Sequence, residues 1–127
     1  KPETTYGASR FDFYVEDARG AKALIEVKGV TLEDEGVARF PDAPTERGVK
    51  HIRELCQALD EGFFAYLIFV IQMKEIIRFE PNDDTHPAFG DALREARDKG
   101  VVILAYDCIV AADSITLSEP VPIRLGK

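Results

Sequence analysis

Residues 64–72 read FAYLIFVIQ, an uninterrupted apolar run rich in aromatic and β-branched side chains. Such a run, with no polar face, is typical of a strand in the middle of a sheet that is covered on both sides. Residues 101–110, VVILAYDCIV, form a second run of the same kind. Between them, residues 87–99 have the apolar spacing of a helix, with Pro87 at its start and Gly100 at its end. Two buried strands joined by a helix predict a right-handed parallel crossover in an α/β fold.

The N-terminal half of the chain alternates apolar and polar residues, which is the pattern of strands with one polar face. Residues 10–16 and 24–31 form two such strands, separated by a turn at Gly20, and residues 37–40 form a short third strand. We expect these three strands to form an antiparallel meander.

A helix is expected after this meander, with Thr45 as its N-cap and Gly62 at its end. Its apolar residues recur at helical spacing and face the sheet, and we place His51 on the opposite, polar side. Further short strands are expected at residues 76–79, 115–117 and 121–125. The predicted fold is therefore a mixed sheet with an antiparallel meander, a parallel centre and helices packed on it.

The length of 127 residues suits one domain with one core, and we expect the whole chain, residues 1–127, to form it. A hydrophobic fraction of 46% excludes wholesale disorder, and no apolar run reaches the length, roughly 18 residues, that a membrane helix needs. Cys56 and Cys108 are too few for a disulfide framework, and both lie in apolar stretches. We therefore expect reduced, buried thiols in a cytoplasmic protein without membrane contact.

The charge balance is acidic, with 16 Lys and Arg side chains against 23 Asp and Glu and a net charge of −7. Nonspecific affinity for nucleic acid comes mainly from cationic side chains at phosphates, so this balance argues against a general polyanion binder. Acidic residues can instead gather at a metal site, where they bind a cation. The sequence has no P-loop, GxGxxG or CxxC motif, which leaves nucleoside-triphosphate, dinucleotide and zinc-ribbon sites without support.

Three polar residues lie in the middle of the predicted N-terminal strands, between apolar neighbours. Asp12 lies in the first strand, and Glu26 and Lys28 lie in the second. If the two strands pair through the turn at Gly20, the carboxylates share one sheet face and repel each other unless a cation or proton holds them. Oxygen ligands of this kind suit Mg²⁺ or Mn²⁺, and the carbonyl of Val27 could be a further ligand. Lys28 could then orient or deprotonate a water and offset negative charge on a phosphate.

The alternative is an ordinary strand with solvated charges and a surface pair between Glu26 and Lys28. This alternative needs neither a metal nor a catalytic role for any of these residues. Because Asp is disfavoured in the centre of a strand, Asp12 favours the metal site without excluding the alternative.

Several stretches of the sequence carry a resemblance to a known family. Asp12, followed by the EVK triplet of residues 26–28 and then a helix, is similar to the PD-(D/E)xK nuclease signature. More specific strings are YGASRFDF at 6–13, EVKGVTL at 26–32, FPDAPTERGVKH at 40–51 and GVVILAY at 100–106. Together they resemble the sugar fermentation stimulation protein A family, from about Glu3 to the C-terminus.

This resemblance implies a restriction-endonuclease-like fold, a mixed sheet flanked by helices, and nuclease activity on DNA or RNA. It also implies an OB-like N-terminal domain that we expect to be absent from this chain, in keeping with a first residue, Lys1, that is not Met. Family proteins are described both as nucleases and as nucleic-acid binders linked to the regulation of sugar metabolism. The sequence departs from the family pattern at Gly29, where a polar residue is expected, and at His86, where Asp is expected; neither position belongs to the proposed metal site.

Basic residues at the start of the first predicted helix are candidates for binding phosphate. Arg47 lies near the helix N-terminus, where backbone N–H groups already favour an anion. Lys50 and His51 follow it, and His51 could contact the scissile phosphate or a metal-bound water. The alternatives are a solvated helix face with a pair such as Lys50–Glu54, and a partly buried helix residue at His51.

Three accessory residues complete the candidate site. Asp42 could supply an outer-sphere or second-metal oxygen, or it organises the turn that enters the helix. Gln72 ends a buried strand, where it could approach the edge of the site or satisfy a neighbouring backbone group. Glu3 could complete the metal shell, or it is a flexible residue near the terminus.

The leading functional hypothesis is a Mg²⁺- or Mn²⁺-dependent phosphodiesterase that cleaves DNA or RNA. The alternative is a DNA-binding regulator of sugar (maltose) metabolism genes that keeps the nuclease fold without catalysis. A phosphatase acting on a small sugar phosphate is a third hypothesis. The intact set of Asp12, Glu26 and Lys28 favours catalysis, since a scaffold does not need it. The oligomeric state stays open.

Overall fold

The computed structural model of the protein describes residues 2–6, 9–112 and 114–126, with the backbone alone at 2–6, 9–12, 110 and 115. Strands lie at Pro2–Tyr6 (β1), Ser9–Glu16 (β2), Lys22–Val30 (β3), Leu32–Asp34 (β4), Val37–Phe40 (β5), Phe64–Ile71 (β6), Arg78–Pro81 (β7), Val102–Ala111 (β8) and Ser114–Pro120 (β9). Helices lie at Glu46–Asp60 (α1) and Pro87–Lys99 (α2). No helix in this part of the chain is long and apolar enough to cross a membrane.

The larger of two sheets has the strand order β1-β2-β3-β6-β8-β9. β2 pairs antiparallel with β3, whereas β3, β6 and β8 run parallel, with Glu26 beside Leu67 and Leu67 beside Ile103. β9 returns antiparallel along β8. The parallel centre and the mixed α/β class predicted from the two apolar runs are therefore confirmed.

The predicted antiparallel meander is wrong in its third strand. β5 lies in a smaller sheet with the order β4-β5-β7. A two-residue turn at Glu35 and Gly36, both with positive φ, folds β5 back on β4, and tight hairpins favour this geometry. Both edges of β3 are already occupied by β2 and β6, so β5 pairs with β4 and, in parallel, with β7.

The hydrophobic core lies between the larger sheet and the two helices. Alternate residues of β6, at 65, 67, 69 and 71, are buried there together with Leu55 of α1 and Leu93 of α2. The Phe69 ring stacks on Phe79 of the smaller sheet, with ring centroids 4.3 Å apart. The two sheets and both helices therefore share one core.

The opposite face of the larger sheet is only partly covered, which corrects the prediction that residues 64–72 are buried on both faces. Phe64 of β6 is 58% exposed and Phe13 of β2 is 43% exposed on this side. The helices pack against each other on the core side, and α1 lies against β6. Within this chain the outer face of β6 is therefore exposed or half-buried, and its core face is buried.

The helix boundaries follow local signals in the sequence. Thr45 is the N-cap of α1, and its Oγ1 accepts a hydrogen bond from Gly48 N at 3.0 Å. α2 begins at Pro87 and ends at Gly100, which adopts the left-handed conformation with φ 114°. These predicted caps are confirmed.

The short strands agree less well with the sequence pattern. β9 contains the predicted strand 115–117 but is longer, and residues 121–125 contribute only an isolated bridge between Ile123 and Phe79. β7 lies two residues after its predicted position. β1 and β4 were not predicted, and β4 has only three residues, all exposed. Strands this short carry too few alternations to be recognised by periodicity.

Both cysteines are free, buried thiols, as the sequence predicts. Burial raises the pKa of Cys56 and of Cys108, so both stay protonated at neutral pH. Cys108 also donates a hydrogen bond to the Ile71 carbonyl at 3.2 Å. Both residues therefore belong to the interior packing.

Candidate functional site

Two charged side chains project from the core face of β3. Glu26 and Lys28 are two residues apart, so they lie on the same face of the strand. Leu24 and Val30 share this face and are fully buried, which places Glu26 in the protein interior at 5% exposure. The Lys28 side chain is 16% exposed. A carboxylate this deeply buried needs partners, because burying an unpaired charge is costly.

The Oε2 atom of Glu26 is the meeting point of three side chains. Lys28 Nζ lies 2.9 Å from Oε2 and His51 Nδ1 lies 3.0 Å from it, while Nζ and Nδ1 are 3.2 Å apart. We call Glu26, Lys28 and His51 the carboxylate cluster. Because an ionised carboxylate only accepts hydrogen bonds, Oε2 accepts one from Lys28 Nζ and one from His51 in the tautomer that carries its proton on Nδ1. The cluster thus joins β3 to α1.

His51 lies on the buried side of α1, which corrects its predicted position on the polar side. It is 5% exposed, and Gly48 and Leu55 are buried on the same side of the helix. Our prediction took only the apolar residues at helical spacing as the buried side of the helix and left His51 out, but Glu26 supplies the hydrogen bond that allows the ring to be buried. The helical spacing of Gly48, His51, Leu55 and Ala58 was the signal that could have revealed this side.

Competing effects set the pKa of His51. Burial lowers the pKa most strongly, the Glu26 carboxylate raises it, and the cations Lys28 and Arg47 lower it. The result is a pKa below the ordinary value of 6.5. At neutral pH His51 is therefore a neutral imidazole.

The structure separates the three residues that we predicted to bind phosphate. Arg47 is exposed in the first turn of α1, one turn before His51, and it contributes to lowering the pKa of that imidazole. Lys50 instead lines a surface groove of about 410 Å³ beside α1 and the start of α2, together with Arg53 and His86. Arg47 therefore lies beside the carboxylate cluster, whereas Lys50 faces a different part of the surface.

Two accessory candidates lie elsewhere on the sheet and the adjoining loop. Gln72 follows β6 and is exposed, and its amide nitrogen lies 3.1 Å from the position that a Cβ at Gly29 would occupy. Since Gly29 alternates with Lys28 along β3, Gln72 lies on the face of the sheet opposite to the carboxylate cluster. Asp42 is exposed in the loop that precedes α1. The roles predicted for Gln72 and Asp42 stay predictions.

The side chains of Asp12 and Glu3 lie outside the described residues. Their backbones belong to β2 and β1. β2 pairs with β3 in a register that sets Phe13 opposite Ile25. Asp12 precedes Phe13 in β2 and Glu26 follows Ile25 in β3, so each lies one residue from this pair. The joint role of Asp12 and Glu26 at a metal stays a prediction.

The donor groups at the carboxylate cluster are of a kind that suits a hard divalent cation. All hydrogen bonds of the Glu26 carboxylate within the described residues go to Oε2, so Oε1 is a second buried oxygen at the same place. Val27, whose carbonyl is another predicted ligand, follows Glu26 in β3 and pairs with Ile68 of β6. Within the described ranges no three His, Cys, Asp or Glu side chains gather at one point, so a fuller shell needs an oxygen such as that of Asp12. Mg²⁺ tolerates few protein ligands because it keeps several waters.

Relatives of known family match almost the whole chain. Residues 1–114 match the family model of the sugar fermentation stimulation protein RE domain. The chain is 58% identical to the sugar fermentation stimulation protein homolog of Clostridium beijerinckii and 60% identical to that of Desulfitobacterium hafniense strain Y51, each over 98% of this chain. These matches cover 55% and 54% of the two relatives, so the chain spans about half the length of the curated relatives it matches.

A solved structure shares the fold. The structure of Pyrococcus furiosus SfsA in complex with Ca²⁺ matches with a TM-score of 0.88 and 28% sequence identity, over 98% of this chain and 54% of that one. The α/β fold with a mixed sheet flanked by helices is confirmed by this match, and the resemblance found in the sequence is confirmed by the family model. The chain belongs to the sugar fermentation stimulation protein family.

Proposed function

We propose that this protein is a Mg²⁺- or Mn²⁺-dependent nuclease that hydrolyses phosphodiester bonds of DNA or RNA. The observation that carries the proposal is the carboxylate cluster, in which a buried Glu26 and the ammonium of Lys28 lie 2.9 Å apart on one face of β3. Such a pair supplies two requirements of phosphodiester hydrolysis, a ligand for a metal ion and a positive charge for the phosphate.

The metal would be held by Glu26 and Asp12, with the carbonyl of Val27 as a further ligand. The register of β2 and β3 supports this set, because Asp12 and Glu26 each lie one residue from the paired residues Phe13 and Ile25. The Pyrococcus furiosus relative was solved in complex with Ca²⁺, a cation that takes oxygen ligands as Mg²⁺ does. When bound, Mg²⁺ would polarise a phosphate oxygen and lower the pKa of a water.

We assign to Lys28 the role of stabilising negative charge on the phosphate. Its side chain is less buried than that of Glu26, and its four-carbon stem is flexible, so the ammonium can turn from Oε2 towards an entering phosphate. A cation placed in this way acts most strongly where charge develops, which is in the transition state. Lys28 is therefore the residue expected to affect cleavage more than binding.

His51 and Arg47 are assigned supporting roles. As a neutral donor 3.0 Å from Oε2, His51 fixes the Glu26 carboxylate without adding positive charge, and such hydrogen bonds orient metal-binding carboxylates. Arg47 is exposed at the start of α1, where the helix N-terminus already favours anions, so it would contact the nucleic-acid backbone. His51 thus acts as a positioning residue rather than as the predicted phosphate contact.

A second candidate is a DNA-binding regulator of sugar-metabolism genes that uses this fold without cleavage. The name of the relatives, which refers to the stimulation of sugar fermentation, favours it. The buried Glu26–Lys28 pair argues against it, since binding alone does not need a charged pair in the interior. Both candidates imply nucleic acid as the partner and a cytoplasmic location.

A plasmid-nicking assay separates the two candidates. The chain is incubated with supercoiled DNA in Mg²⁺, in Mn²⁺ and in EDTA, beside the Glu26→Gln variant and a control, Glu95→Gln, that changes an exposed glutamate of α2. The nuclease predicts metal-dependent nicking that Glu26→Gln loses and Glu95→Gln keeps. DNA binding without nicking in every sample would support the regulator. An end-labelled RNA run in parallel distinguishes the two nucleic acids as substrates.

A further inference from the structure

The Glu26 carboxylate is neutralised by a side chain of the protein itself. Lys28 Nζ and His51 Nδ1 both lie within 3.0 Å of the same oxygen, Oε2. Lys28 Nζ is the nearer of the two, so the ammonium brings its positive charge to within 2.9 Å of Oε2. An opposite charge at this distance offsets part of the cost of burying a carboxylate.

We propose that Lys28 is the counter-ion of Glu26 in the metal-free protein and that a divalent cation must displace it from Oε2 in order to bind. The proposal rests on the metal site of the proposed function and concerns how that site is filled. Two cations on one carboxylate oxygen repel each other strongly, and at a buried carboxylate such as Glu26, which is 5% exposed, this repulsion is poorly screened. The long lysine stem allows the ammonium to leave while β3 stays in place.

This displacement couples metal binding to the presentation of Lys28. An ammonium that leaves Oε2 loses its buried partner and becomes available to a phosphate, since the Lys28 side chain is partly exposed, at 16%. The imidazole of His51 belongs to α1 and can keep its 3.0 Å contact with Oε2 when the ammonium leaves. The lysine would therefore weaken metal affinity and at the same time support cleavage, so its removal should move these two quantities in opposite directions.

The test is a calorimetric titration of the full 127-residue chain with MnCl₂ at neutral pH. Lys28→Met removes the ammonium but keeps an unbranched chain, and Lys28→Gln is a second uncharged variant in case the first one folds poorly. Lys50→Met makes the same change in net charge on a lysine of the groove beside α1, away from the carboxylate cluster. Glu26→Gln identifies any Mn²⁺ that binds elsewhere on this acidic chain.

We expect Lys28→Met and Lys28→Gln to bind Mn²⁺ about tenfold more tightly than the wild type, from the loss of one nearby positive charge. Lys50→Met should stay within about twofold of the wild type, since exposed charges are screened. Thermal unfolding gives the same answer independently, because Mn²⁺ should raise the unfolding temperature more in Lys28→Met than in the wild type.

Unchanged or weaker Mn²⁺ affinity in both Lys28 variants would overturn the proposed competition between Lys28 and the metal for Glu26. It would not count against the metal site of the wild type. Absence of Glu26-dependent binding in the wild type and in both variants would remove the competition together with the metal site. If the Lys28 variants bind Mn²⁺ more tightly but the wild type does not cleave DNA, the competition between Lys28 and the metal is supported. Only the proposed nuclease activity is then contradicted. The titration requires no cleavage, so the two proposals fail separately.

Discussion

His51 Nδ1 lies 3.0 Å from Glu26 Oε2, although the first residue belongs to a helix and the second to a strand. Both side chains are buried, so this hydrogen bond is a polar link across a mainly apolar interface between α1 and the larger sheet. The same contact therefore contributes to the stability of the fold and to the position of the carboxylate that we assign to the metal.

Replacing His51 should destabilise the protein. His51→Ala removes a donor from a buried carboxylate, and the loss of such a hydrogen bond costs about 1–3 kcal/mol. His51→Gln, which keeps a donor, should recover part of the loss. Urea unfolding at neutral pH measures both variants, with Gln57→Ala on the exposed side of α1 as a control expected to change stability by less than about 0.5 kcal/mol. Equal losses in His51→Ala and Gln57→Ala would contradict the role of this contact.

The contribution of His51 to stability should decline as the pH falls below about 6.5. The pKa of His51 is lowered in the folded protein, chiefly by burial, so in this range the unfolded chain binds more protons than the folded one. The free energy of unfolding therefore rises with pH between the pKa of His51 in the folded protein and its higher pKa in the unfolded chain. It falls again on acidification. Urea unfolding at about pH 7.5 and about pH 5.5 should show the advantage of the wild type over His51→Gln shrinking at the lower pH. A constant or growing advantage would mean that the imidazole is not buried as a neutral group.

Lys28→Ala should separate cleavage from binding. Losing one well-placed electrostatic donor lowers a transition-state-limited rate by roughly 10²–10³-fold. Binding to a long duplex should fall far less, because other phosphate contacts remain. Single-turnover cleavage and fluorescence anisotropy on the same DNA measure the two quantities. Equal losses would make Lys28 a phosphate anchor only, and normal cleavage would exclude it from catalysis.

Arg47→Ala should weaken DNA binding more than Lys50→Ala, although each variant removes one positive charge. Arg47 lies beside the carboxylate cluster, whereas Lys50 shares its groove with Glu46 and Glu54. Loss of one phosphate contact reduces the salt dependence of log K by about 1. Anisotropy titrations over a series of KCl concentrations give this slope for both variants and the wild type. Identical slopes in all three proteins would show that Arg47 does not contact a phosphate.

Local sequence signals predicted the helices and the sheet centre well, because these features depend on neighbouring residues. Thr45, Pro87 and Gly100 act within one helical turn. The long apolar runs of β6 and β8 are typical of central parallel strands, and the two strands pair in parallel in the larger sheet. The partner of β5 was not predictable in this way. It depends on which strand edges are already occupied, and periodicity carries no information on that.

In the candidate site, too, features that depend on neighbouring residues were predicted, whereas contacts between distant residues were not. Glu26 and Lys28 were placed on one face by strand alternation, which is local. The burial of His51 depends on a carboxylate 25 positions away, and without that partner a histidine between charged residues is expected at the surface. Lys50 was grouped with Arg47 by proximity in sequence, whereas in the structure Lys50 lines the groove beside α1 and Arg47 lies one helical turn before His51.

The central claim is that Glu26, with Asp12, binds a divalent cation. Crystals soaked in MnCl₂ test it most directly, since anomalous diffraction locates manganese without assumptions about its ligands. The account predicts an anomalous peak within about 2.0–2.6 Å of a Glu26 carboxylate oxygen, with an Asp12 oxygen as a second ligand and Lys28 Nζ displaced from Oε2. Manganese bound only at other carboxylates, with Glu26 Oε2 still held by Lys28 and His51, would contradict it.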